Sequence, residues 1–152
     1  MDLKDRISLR KSLKNLFSKQ KLATLATSKS EQPYTSLVAF VPTDNLRTIL
    51  FATGKNSTKY SNIVANRKVS MLVDNRTNRF TDFYKGMAVT VVGQAQELEA
   101  DQRTRYLKRY LKKHPYLGEF VKSPNCGLLR INVENYRIVT RFQHVTELHI
   151  KR

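Results

Sequence analysis

The sequence predicts an α+β fold, and three observations carry that expectation. Five short runs rich in β-branched and other apolar residues fill the region 22–98, and two more follow residue 126. Helical periodicity appears before the first run and again after the fifth. At 152 residues with 40% hydrophobic content, the chain has the size and apolar share of one domain with a real core, so a single domain over 1–152 is expected. No repeat, low-complexity tract or linker divides it.

In chain order, Leu3, Ile7, Leu13, Leu16 and Phe17 fall roughly on one face, which predicts a helix over 3–20 packed on the sheet. Strands are expected at 22–28 (LATLATS), 34–41 (YTSLVAFV) and 48–53 (TILFAT). Residues 54–59 read Gly-Lys-Asn-Ser-Thr-Lys and run into YSNIVAN, a short helix. Strands follow at 68–73 (KVSMLV) and 86–98 (GMAVTVVGQAQEL), joined by a polar segment over 74–86. After Asp101, the spacing of Tyr106, Leu107, Tyr110 and Leu111 predicts a helix, which His114-Pro115 breaks because the residue before proline avoids helical angles. LGEFV supplies a further turn or two, and CGLLRINVE with YRIVTRFQHV reads as a final strand pair joined near Asn135.

Two segments have the chemistry to hold an anion. A helix start leaves backbone N–H groups unpaired at the positive end of the dipole, so Ser57 as cap, with the Thr58 hydroxyl and Lys59 ammonium beside it, suits a phosphate. The alternative is a plain cap with Lys59 in water. The second segment leaves its strand with Asp74-Asn75, which favour turns, and gathers Arg76, Asn78 and Arg79. A guanidinium grips phosphate bidentately, so Arg76 is a candidate; a polar hairpin loop accounts for the same residues.

Other chemistries find little support. His144 and His149 have a spacing zinc can use, but no cysteine pair accompanies them, so no metal site is expected. Neither a Walker loop nor G-x-G-x-x-G is present, the carboxylates are scattered, and Cys126 reads as a small buried residue. A lone cysteine makes no internal disulfide, the N-terminus alternates charge with leucine unlike a secretory signal, and no apolar run approaches the roughly 20 residues of a membrane span. The cytoplasm is the expected compartment, with no membrane partner.

Charge raises a separate question. Twenty-eight Lys and Arg against twelve Asp and Glu give a formal +16. Lys4, Arg6, Arg10, Lys11 and Lys14 lie on the first helix; Arg103, Arg105, Lys108, Arg109, Lys112 and Lys113 lie on the later one with Tyr106 and Tyr110 interleaved. Such a stretch suits a nucleic-acid backbone with stacking platforms. A solvated helix face with its tyrosines turned inward is the preferred reading, so nucleic acid is not the expected partner.

The order of the strands resembles the flavin-binding split β-barrel family, the pyridoxamine 5'-phosphate oxidase-like proteins. Ala26-Thr27 through Pro33 to Val38 resembles the family's opening pattern, Phe51-Ala52-Thr53 with Ser57-Thr58-Lys59 its phosphate segment, and Val91, Gly93, Ala95 and Leu98 its closing V-x-G-x-A-x-x-L. The resemblance implies a split β-barrel, antiparallel and Greek-key-like, with flanking helices. It implies flavin mononucleotide (FMN) as cofactor, its ring along Ser36, Leu37, Val38 and Ala39 and its phosphate at Thr53, Ser57, Thr58 and Lys59. Some members carry a similar D-N-R-x-N, which adds Asn75, Arg76 and Asn78, and Arg141, Phe142 and Gln143 would reach the ring from a neighbouring subunit. A homodimer, a small-molecule substrate and NAD(P)H as reductant complete the expected FMN-dependent oxidoreductase. Oxidase members usually have Arg-Lys where this chain has Thr58-Lys59, Arg at Ser36 and Lys at Val41. The substrate-binding Arg-x-His has only Arg141 and His144, at a longer spacing, so pyridoxamine phosphate oxidation is not implied. Other readings remain: a haem-binding or haem-degrading barrel using His144 or His149, a deazaflavin-dependent reductase, or a basic non-catalytic binding module working through 103–113.

Overall fold

The computed structural model describes residues 1–151. Its elements are α1 (Leu3–Lys19), β1 (Leu22–Lys29), β2 (Gln32–Pro42), β3 (Thr48–Gly54), α2 (Thr58–Ala65), β4 (Lys68–Asp74), α3 (Asp82–Lys85), β5 (Met87–Glu97), α4 (Ala100–Lys113), α5 (Gly118–Lys122), β6 (Cys126–Thr140) and β7 (His144–His149). All strand pairs are antiparallel in the order β3-β2-β1-β4-β5-β6-β7, and a further β3–β6 ladder from Thr48↔Asn132 to Gly54↔Cys126 closes the first six into a barrel. The closure is partial, since β2 pairs with β3 only from Phe40 to Pro42 and leaves its earlier residues with a free edge, and β7 stands outside on β6.

Strand alternation builds the core. Ala23 and Leu25 of β1, Val38 and Phe40 of β2, Val69, Met71 and Val73 of β4 and Val89 and Val91 of β5 point inward and are buried. β3 is buried along both faces: Ile49 and Phe51 enter the barrel, while Leu50 and Ala52 join a second cluster outside it with Val41, Leu128, Tyr110 and Val121. Its continuous apolar run in sequence has this cause. α1 contributes Leu13, Leu16 and Phe17 to the barrel core, where the Phe17 ring lies 5.7 Å from Phe40 and 5.9 Å from Tyr136. Leu3 and Ile7, expected on the same buried face, are 74% and 61% exposed, because only the last turns of α1 reach the barrel.

Two further expectations are corrected. The chain does not turn near Asn135: β6 runs unbroken for 15 residues, and Arg141-Phe142-Gln143 makes the turn into β7, with Arg141 and Phe142 at positive φ. Asn135 stays in the ladder opposite both Val92 and His149, and the one irregularity is a bulge in β6 beside it, where Val92 and Gly93 of β5 face Asn135 and Val133 and Glu134 is left without a partner on β5. A Cβ at Gly93 would stand 2.3 Å from the Asn132 carbonyl oxygen, so this close approach requires glycine. Lastly, the segment 74–86 is no simple hairpin loop. The Asp82 carboxylate accepts from the Thr77 and Asn78 amides and the Thr77 hydroxyl at 2.7–3.0 Å, folding 77–81 over the one-turn α3.

Candidate functional site

The sharpest local feature is the β3–α2 junction. Ser57 takes extended backbone angles and its Oγ accepts from the Tyr60 amide at 3.2 Å, a hydroxyl cap at the helix start. The buried Thr53 hydroxyl lies 2.9 Å from the same Oγ and fixes its direction. The Ser61 amide bonds to the Ser57 carbonyl, whereas among the described residues the Thr58 and Lys59 amides have no protein acceptor. Lys59 is half-buried and forms no ion pair among the described residues, unlike Lys55, which is 3.2 Å from Glu97. Tyr60 donates its hydroxyl to the same Glu97 at 2.7 Å, and that carboxylate pushes the phenol pKa up.

This junction forms one side of a groove of about 490 Å³ on the outer surface of the barrel. Leu37, Val38 and Ala39 of β2 line it, with Leu22 of β1 and Thr53, Ser57 and Lys59 at the α2 end. The opposite wall is Tyr110, Leu117 and Phe120, from α4 to α5. Those three were not foreseen as site residues, although the break at His114-Pro115 marks where the chain turns back towards the barrel. Tyr110 is wholly buried and donates its hydroxyl to the Ala39 carbonyl at 3.1 Å, which ties α4 to β2; burial pushes its pKa up. The groove is therefore apolar along β2 and donor-rich at α2, which suits a molecule with an apolar plane and an anionic end.

Other sequence-predicted residues fall elsewhere. Strand alternation turns Ser36 towards Leu25 and away from the groove, and its buried Oγ has no hydrogen-bond partner. Thr58 is exposed. Arg76 Nε lies 3.0 Å from Asp74 Oδ2, and the pair lines a second groove of about 200 Å³ that shares Leu22 and Leu37 with the first. Asn75 uses Oδ1 to accept from the Met87 amide at 2.7 Å and so closes the base of the loop. Asn78 is exposed with φ of 60°, and its amide serves Asp82. Arg141 is exposed in the β6–β7 turn beside Phe142, whose ring is 5.3 Å from Phe83 of α3, and does not line the groove within one chain.

The remaining candidates have structural surroundings. Cys126 is buried, and burial raises its thiol pKa, the reverse of an activated nucleophile. His144 and His149 are exposed at the two ends of β7, and buried His114 bonds through Nε2 to the Phe40 carbonyl at 2.9 Å. In the 103–113 stretch Tyr110 faces inward and Tyr106 packs on the outer cluster, so neither ring is free to stack on a base; Arg103 bonds to the Cys126 and Val121 carbonyls. Among the described residues no helix is long and apolar enough to cross a membrane.

Comparison with known proteins agrees with this geometry. A family model described as pyridoxamine 5'-phosphate oxidase matches residues 9–140. A pyridoxamine 5'-phosphate oxidase homologue of Schizosaccharomyces pombe is 29% identical, with 83% of this chain and 82% of that protein covered. Among solved structures, a haem-binding protein of Mycobacterium smegmatis superposes with a TM-score of 0.81 at 14% identity, over 92% of this chain and 57% of that one. A FAD-binding protein of Mesorhizobium loti gives a TM-score of 0.67 at 17% identity, over 84% of this chain and 91% of that one. At these identities the structural matches speak to the fold, while the matched span of 9–140 takes in α2 with its Ser57 cap and six of the seven strands. By that match, the chain belongs to the pyridoxamine 5'-phosphate oxidase family.

Proposed function

We propose that this chain binds FMN in the β2–α2 groove and serves as an FMN-dependent oxidoreductase, passing electrons between NAD(P)H and a small acceptor. One observation carries the reading: the groove runs from Leu37, Val38 and Ala39 of β2 to the start of α2, where Ser57 and Lys59 line it and the neighbouring Thr58 and Lys59 amides have no protein acceptor among the described residues. Donors of that kind suit a phosphate, and Leu37 to Ala39 suit a flat ring. In this reading Lys59 and the two amides hold the phosphate, the Thr53–Ser57 hydroxyl pair keeps the cap in place, and Tyr110 ties α4 to β2 at the Ala39 carbonyl. Bound flavin would supply the redox chemistry, and the protein supplies binding and orientation. No histidine, cysteine or carboxylate lines the groove, which fits a site whose residues bind rather than transfer protons.

The exposed apolar surface favours a homodimer. Leu22 (55%), Leu37 (66%), Phe83 (50%), Tyr84 (63%) and Phe142 (64%) are exposed on the barrel wall, α3 and the β6–β7 turn, and they are apolar side chains that a second copy could cover. A two-fold contact over this face would bring the partner's β6–β7 turn, with its arginine, to the groove. Light scattering at micromolar concentration should give twice the chain mass, and a stable monomer that still binds flavin refutes the dimer.

Haem is the second reading, favoured by the similarity in fold to a haem-binding protein. Against it stands the groove itself, which contains no histidine; His144 and His149 lie on β7, where an iron would be open to water. The absorption spectrum of gently purified protein, followed by titration with FMN and with riboflavin, distinguishes them. FMN binding at least about tenfold tighter than riboflavin is expected. A Soret band from bound haem, or equal affinity for the two flavins, defeats the proposal.

A further inference from the structure

The basic character of the chain has a focus that the flavin groove does not use. Another groove, of about 520 Å³, opens between α1 and α4 above the end of β2 and the loop after it. Four cations line it, Lys14, Arg109, Lys112 and Lys113, against one carboxylate, Asp44. Arg109 is already engaged: its Nη2 is 2.7 Å from Asp44 Oδ1 and its Nε donates to the Pro42 carbonyl at 3.0 Å. Arg109 chiefly, with smaller contributions from Lys14 and Lys112, holds the Asp44 carboxyl below the ordinary carboxylate range, and all four side chains line the same groove.

Lys14 and Lys112 have no carboxylate within ion-pair distance among the described residues. Lys113 sits deeper. Its Nζ donates to the Phe17 carbonyl at 2.7 Å and lies 4.0 Å from the centre of the Phe40 ring. Burial brings its pKa down to about 8, which marks an ammonium that water solvates poorly. An anion brought beside such a group gains more than it would at a solvated surface lysine. Phe17, Val41 and Pro42 supply an apolar part of the wall, with the Ser18 and Thr43 side chains beside them.

We propose that this groove is a second ligand site, separate from the α2 groove, for a small phosphate monoester with an apolar or aromatic body. The phosphate lies among Lys14, Lys112 and Lys113, and the body rests on Val41 and Pro42. A dianion matches the three cations that Asp44 leaves uncompensated. The apolar wall selects against a bare ion, and Arg103 and Arg109 are tied to the protein and so withdrawn from any extended track for a polyanion.

The experiment follows backbone amide shifts of the isotopically labelled chain by NMR during titration with phenyl phosphate and, separately, inorganic phosphate. Saturable shifts at Lys14, Asp44 and Lys112 are expected, with inorganic phosphate at least about fivefold weaker for want of the apolar contact. The double variant Lys14→Ala/Lys112→Ala should bind phenyl phosphate about tenfold more weakly with the remaining spectrum unchanged. Asp44→Asn, which removes the competing carboxylate, should bind it more tightly, and Lys59→Ala should leave these shifts as they are. Equal affinity for both phosphates, shifts confined to Thr58 and Lys59, or a double variant that binds as the parent does would overturn the proposal. So would a single-stranded oligonucleotide that shifts the same amides at lower concentration than phenyl phosphate, since it would identify a polyanion surface.

Discussion

Lys59→Ala isolates the phosphate contact on which the FMN reading rests. Lys59 is in the first turn of α2, half-buried and free of any ion pair among the described residues, so truncation removes no packing partner of the core. A charge-assisted contact to phosphate is worth roughly 1.5–3 kcal/mol; partial exposure puts this one in the lower half of that range, which corresponds to about ten- to fortyfold in affinity. Riboflavin lacks the phosphate, so its affinity should change by less than about twofold. The measurement is quenching of flavin fluorescence during titration of each flavin into parent and variant, with circular dichroism to establish that α2 is intact. The readout is the ratio between the two flavins, because a general loss of groove shape would weaken both alike. Parent-like FMN binding by the variant refutes the placement of the phosphate, and an equal loss for riboflavin refutes the contact as its cause. Thr58→Arg, on the exposed neighbouring position, should move FMN affinity the opposite way by adding a bidentate donor.

Other outcomes follow from single contacts. Tyr136→Phe removes a hydroxyl that donates to the Leu46 carbonyl at 2.8 Å inside the core, leaving that oxygen unpaired; a loss of about 1–2 kcal/mol and a Tm lower by roughly 3–8 °C are expected by thermal melting. A parent-like Tm would show that water reaches the carbonyl. Ser30 and Glu31 form the two-residue β1–β2 turn at φ of 50° and 64°, angles that suit Asn-Gly; Ser30→Asn with Glu31→Gly should raise stability by about 1 kcal/mol in urea unfolding, and no gain would mean side-chain contacts hold the turn. Lys113 titrates at about 8 when folded and about 10.5 when unfolded, so between those values the unfolded chain binds more protons and stability rises with pH. Buried Tyr110 and Tyr136 have raised pKa values and act in the opposite sense above about pH 10. Lys113→Met should therefore flatten the rise between pH 8 and 10 in urea midpoints, and an unchanged slope would show that Lys113 keeps its ordinary affinity for protons.

Much of this fold was legible in the chain because its signals are local. A two-residue alternation marks β1, β2, β4 and β5, and the doubly buried β3 shows itself as the unbroken run ILFA. The cap at Ser57 was equally readable, since a hydroxyl before a helix acts on amides within its own turn. Whatever depends on distant segments was not readable. Closure of the barrel by β3 on β6 joins Thr48 to Asn132, and no local pattern names that partner. The β6–β7 turn looked like Asn135 because asparagine favours turns; the ladder holds that residue on both sides, and the reversal falls on Arg141-Phe142, whose left-handed angles their types do not announce. Leu3 and Ile7 keep the period of an amphipathic helix, yet only the tertiary packing of α1 decides that its contact with the barrel begins at Leu9 and becomes full burial at Leu13. The same division holds for the sites. Residue type and spacing nominated Ser57 and Lys59, but which strand face meets them, which wall of Tyr110 and Phe120 stands opposite, and that Lys14 and Lys112 share a groove are matters of long-range contact, set by burial of apolar surface between segments far apart in the chain.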